Sequence, residues 1–94
     1  MHLEAFTVSE MGKPWLQPPY EIPKAGDMAR LHPARFPLDS AAAALAATIY
    51  GDGWREQRFF VEGLTVGGSF VTVVQGGVLS GAPKIFEPGE LVKG

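Results

Sequence analysis

Hydrophobic positions repeat with a helical period in the middle of the chain and with an extended period after it. In "PLDSAAAALAATIYGDGW", residues 37–54, Leu38, Ala42, Leu45 and Ile49 follow one another at steps of four, three and four. That spacing makes one stripe with alanines on both sides. Asp39 or Ser40 can accept from the first free amides, and Gly51 stands where a left-handed closing residue belongs. The spacing and both end signals predict an Ala-rich helix over 39–50, lying close to a sheet because its flanks are small.

Beyond Trp54 the period becomes extended. "REQRFFVEG" and "SFVTVVQ" are rich in Phe and Val, and Gly67 and Gly68 lie between two such runs. This predicts a hairpin of strands 56–66 and 69–75 joined by a primed turn. Phe59 and Val61 are expected to face the helix, and Arg58, Phe60 and Glu62 to face away. "VLSG" or "PKIFEP" suits a short edge strand, and 87–94 reads as a tail.

Before the helix, "HLEAFTV" at 2–8 suits a strand. Six of the eight prolines then fall between Pro14 and Pro37. Proline removes an amide donor and turns its predecessor away from helical backbone, so 12–37 reads as a long loop. Trp15, Leu16, Tyr20, Ile22, Met28, Leu31 and Phe36 make it too apolar for a solvated linker, and it is expected to be ordered against the sheet edge or a partner, with one helical turn at Asp27 to Leu31. The expected architecture is α+β: a two-layer sandwich of one Ala-rich helix on a small antiparallel sheet of three to four strands, a single domain over 1–94.

Composition narrows the chemistry. With 94 residues, 46% of them hydrophobic and 19% charged, the chain can build one modest core and is too apolar for the disordered class. Without cysteine there is no disulfide, thiolate zinc site or thiol nucleophile. The longest apolar run, 41–47, is far below the ~20 residues a bilayer requires, so a cytoplasmic protein without a membrane partner is expected. Eight basic residues scattered among ten acidic ones, net −2, argue against direct nucleic-acid binding.

No catalytic, metal or cofactor motif stands out, and a non-enzymatic protein is expected. His2 and His32 are the only imidazoles, and neither has a second ligand at helical or hairpin spacing. A trio of Ser40, His32 and Asp27 or Asp39 can be written down, but Ser40 has a better role at the helix start. "GDGWRE" follows a helix where a dinucleotide fingerprint follows a strand, and "GLTVGGS" lacks the lysine of a phosphate loop. Glu56 and Glu62 would stand about 20 Å apart along a strand, too far for a shared substrate. "RFFVEG" matches an RNA-recognition strand only at Arg58, Phe60 and Val61.

What remains is a recognition surface. Tyr50, Trp54, Arg55 and Arg58 cluster around the helix exit, and Trp15 and Tyr20 form a second group on the Pro-rich loop. Trp, Tyr and Arg are the residue types that dominate binding hot spots. Trp54 could equally close the core. The alternatives are a structural subunit or a homodimer, in which Phe60, Phe70, Thr72 and Val74 would line an interface, and, behind these, a single-stranded nucleic-acid or small-ligand binder.

The order "FTV", "PLDSAAAALAATIYG", "RFFVEG", "FVTVVQ" resembles the layout of small phage-encoded inhibitors of the anti-CRISPR type, over about half of the chain. The resemblance rests on element order. It implies a non-enzymatic protein that binds a host protein or complex, such as a type I CRISPR effector, and blocks its action; it carries over no individual residue.

Overall fold

The computed structural model describes residues 20–94. The strand expected at 2–8 and the candidate contact residue Trp15 lie outside them. The described chain runs β1 (Met28–Leu31), α1 (Ala41–Tyr50), a 3-10 turn (Trp54–Glu56), β2 (Arg58–Leu64), β3 (Phe70–Gln75), β4 (Pro83–Phe86) and β5 (Leu91–Lys93). The strands form one antiparallel sheet in the order β4-β3-β2-β1-β5. The protein is therefore α+β, with five strands among the described residues where the sequence suggested three to four.

Both additional strands lie where composition pointed away from structure. β1 falls inside the Pro-rich stretch, in the gap between Pro23 and Pro33 where "MARL" keeps all its amide donors, and pairing with two strands makes it extended where a helical turn was expected. β5 occupies the expected tail and pairs with β1 through Leu31↔Leu91, Arg30↔Val92 and Ala29↔Lys93. Leu91 and Val92 are each 2% exposed, and that burial outweighs the fraying expected near a chain end. Outside β5, the Lys93 amide donates to the Glu21 carbonyl at 2.8 Å.

Helix α1 is capped as its sequence requires. The Ser40 hydroxyl accepts from the Ala43 amide at 3.1 Å and donates to the Pro37 carbonyl at 2.6 Å. At the other end Gly51, at φ 85°, donates to the Ala47 carbonyl at 2.8 Å. The buried stripe differs from the expected one. Ala43 and Ala46 enter the core, while Leu45 is 61% and Leu38 60% exposed. Two alanines thus supply the buried side of the helix, and the larger side chains are left exposed.

Register fixes which strand residues that helix covers. Phe59 pairs with Val74 and with Ala29, Val61 with Thr72, and Phe70 with Phe86. These residues form the inner face and share one cluster with Ala43, Ala46, Trp54, Leu31 and Leu91, apart from Thr72, which is buried there as the one polar member. The Thr72 hydroxyl is satisfied by donating to the Lys84 carbonyl at 2.8 Å. Phe59 is the hub, meeting Tyr50 edge-on at 5.4 Å and Phe86 at 4.8 Å between ring centroids.

The outer face carries a second apolar row, in which Met28 pairs with Phe60, Phe60 with Val73, and Val73 with Pro83. Beside it Val71 pairs with Ile85, which is 63% exposed. The interface set Phe60, Phe70, Thr72 and Val74 is thus split between faces: only Phe60 looks outward, and Val71 and Val73 accompany it. The β2–β3 connection also departs from a two-residue primed turn. The Thr65 amide donates to the Ser69 carbonyl at 2.9 Å, enclosing three residues of which the last, Gly68, takes φ 88°.

Candidate partner-binding site

The helix exit and the end of the β1–β2 ladder meet in a notch of about 230 Å³. Three short elements build it. Gly51 and the "DGW" turn send the chain back under α1, and the 3-10 turn that follows points Trp54 inward, 9% exposed, as the floor. Arg55 and Glu56 stand on the rim of that turn, and Arg58 opens β2 immediately after it. Leu31, Pro33, Phe36 and Leu38, from β1 and the segment leading to α1, supply an apolar wall.

The third cation of this region, Arg30, arrives from β1. It follows Ala29, which pairs with Phe59 of β2, and is itself paired with Val92 of β5, so that β1 carries it to the notch that Arg58 also lines. Arg58 turns one Nη1–H back to the Glu56 carbonyl at 2.8 Å. The Arg30 guanidinium carbon lies 6.0 Å from the centre of the Tyr20 ring, at the outer limit of a cation–π contact. Arg55 is engaged within the folded chain. Among the described residues, the notch lining carries the charged side chains Arg30, Arg55, Arg58 and Glu56.

Of the residues singled out from sequence, Trp54, Arg55 and Arg58 share this notch. Tyr50 does not line it: its ring packs on Phe59, half-buried, and burial raises its hydroxyl above the ordinary tyrosine range. Tyr20 lies on the far side of Arg30, against the His32 ring at 4.7 Å, and lines a separate, more apolar cavity of about 440 Å³ with Ile22, Phe70, Pro88 and Val92. Burial raises the Tyr20 hydroxyl, opposed by the charge of Arg30; burial lowers His32, and Arg30 and Arg35 add to that. The Ala34 amide donates to His32 Nδ1 at 3.1 Å, which keeps that nitrogen unprotonated.

Arg30, Phe36 and Leu38 were missed as members of the site. Their signal was present in "MARL" and "ARFPL", but without β1 and its register nothing set Arg30 beside Arg58. Among the described residues no group of three His, Asp or Glu side chains is placed to hold a metal ion, and no helix is long and apolar enough to cross a membrane. Comparison with known proteins found no matching family model, no matching curated protein and no matching solved structure.

Proposed function

We propose that the protein is a non-enzymatic protein-binding module whose contact surface is centred on the Arg30, Arg55 and Arg58 notch. One observation carries the reading: arginines from three separate elements gather around a tryptophan-floored concavity at the molecular surface. Arginine and tryptophan are the side chains from which binding hot spots are most often built. The notch is smaller than the ~300–1,000 Å³ of pockets that enclose a cofactor or drug-sized ligand, and it suits a side chain presented by another protein.

The most specific form of the reading follows the element order: a phage inhibitor whose partner is a subunit of a bacterial defence complex, such as a type I CRISPR effector, acting in the cytoplasm. Affinity capture from bacterial lysates tests it. Wild-type protein is expected to retain one stoichiometric partner, and a variant carrying Arg30→Glu and Arg58→Glu to lose it while its circular dichroism spectrum is unchanged. Equal capture by the folded double variant, or no partner at all, would contradict the reading.

A second reading, a homodimer, is favoured by the outer apolar row from Met28 to Pro83. A mass of two chains by light scattering that reverts to one in Val73→Lys would support it, because Val73 lies in the middle of that row.

A further inference from the structure

We infer that the cavity beside Tyr20 binds a small carboxylic acid with an apolar body, at a site separate from the notch. Its volume of about 440 Å³ falls inside the ~300–1,000 Å³ range of pockets that enclose small ligands, which the notch does not reach. β5 and the β2–β3 hairpin supply much of the wall. Phe70, Leu91 and Val92 are buried behind it, while Ile22 and Leu64 line it and remain exposed. Two large apolar side chains left in water around one concavity gain from an apolar occupant that covers them.

Polar groups gather at one end. Because His32 Nδ1 accepts from the Ala34 amide, the neutral ring carries its proton on Nε2. His32 lines the cavity, and no hydrogen bond from Nε2 is found among the described residues. The Tyr20 ring lies against the imidazole, and its hydroxyl is buried without a hydrogen-bond partner. Buried donors are nearly always met, so this end of the cavity lacks an acceptor that the chain itself does not supply.

The charges near these donors select the acceptor. Arg30 lies 6.0 Å from the centre of the Tyr20 ring, and Arg35 donates from Nη1 to the carbonyl of Pro88, a wall residue, at 3.4 Å. Each guanidinium is thus already in contact, but it keeps its positive charge while doing so. Both act on His32, and no carboxylate is among the charges that do. Glu21, the one acid of the lining, faces Lys93 at 3.6 Å. A carboxylate therefore finds donors and a positive field at this end, and its hydrocarbon part finds Ile22 and Leu64. An amine would meet two like charges, and a polyol would set most of its hydroxyls against apolar walls.

The test is a titration of the isotope-labelled full chain with sodium octanoate, followed by nuclear magnetic resonance, with octanol and acetate as comparison probes. Saturable shifts are expected with octanoate at the Ile22 and Leu64 methyls and at the His32 ring. Octanol keeps the body without the charge and should bind roughly tenfold more weakly. Acetate lacks the body and should not saturate. His32→Phe removes the Nε2 donor and should also weaken octanoate roughly tenfold. Leu64→Glu, at an exposed position, sets a like charge on the wall and should abolish binding in a chain whose spectrum is otherwise unchanged.

Octanol binding as tightly as octanoate would overturn the inference, because the polar end would then not read a carboxylate. So would undiminished octanoate binding by folded Leu64→Glu, shifts confined to Trp54 and Arg58 at the notch, or no shifts at all.

Discussion

On the inner face of the sheet, Phe59, Val61, Phe70 and Val74 are sealed beneath α1, and even the buried hydroxyl of Thr72 has its acceptor. On the outer face, the same strands turn Met28, Phe60, Val73 and Ile85 outward, and Arg30 and Arg58 line one notch at their end. The inner face follows from packing: each side chain there loses water and gains neighbours. The two arginines do not follow from it, since they line an open notch and lie outside the core cluster. Arginines gathered around a surface notch are better explained by a partner than by the core.

Substitutions that separate the two faces should differ most at adjacent residues of β2. Phe59→Ala removes the hub of the aromatic cluster and is expected to cost about 3–5 kcal/mol in chemical denaturation. Phe60→Ala, one residue on, should cost no more than about 1 kcal/mol. Equal losses at the two positions would mean that the outer face is as closely covered as the inner one. Trp54 belongs with Phe59 on this scale, so its truncation would disturb the fold and is a poor probe of binding.

Smaller effects sharpen the contrast. Thr72→Val keeps the shape of the inner face but deletes the donor to Lys84, with an expected loss of about 1 kcal/mol. A gain in stability would show that the hydroxyl is tolerated there rather than useful. Ser40→Ala removes the cap that starts α1 and should also cost about 1 kcal/mol, read as a lower midpoint with an unchanged denaturant slope.

His32 provides the smallest effect, and it depends on pH. Its folded pKa lies below the ordinary value, through burial first and then Arg30 and Arg35, so the unfolded chain takes up the proton more readily. The stability this confers is complete above about pH 6.5, the unfolded value, and is lost as pH falls through the lower folded value. Thermal melts from neutral to mildly acid pH should show that decline in the wild type and less of it in His32→Gln. Identical profiles would remove His32 as its source.

Much of the inner face was legible in the sequence. Ser40 and Gly51 bracket the helix as read, the Phe- and Val-rich runs became β2 and β3, and Phe59 and Val61 point inward. The helix stripe was not, because spacing alone cannot choose between a leucine edge and an alanine edge, and Ala43 and Ala46 are the residues that enter the core. β1 and β5 escaped because each is three or four residues long and depends on pairing with the other, a long-range contact without a local pattern. The candidate site shows the same division. Trp54, Arg55 and Arg58 are neighbours in sequence and could be grouped by eye, whereas Arg30 joins them only through strand register.

The account stands most directly on a paired measurement of stability and partner capture for the variant carrying Arg30→Gln and Arg58→Gln. It predicts a melting temperature equal to that of the wild type together with loss of the captured partner. A variant that melts lower and still holds the partner would show that the two arginines serve the fold and that contact is made elsewhere.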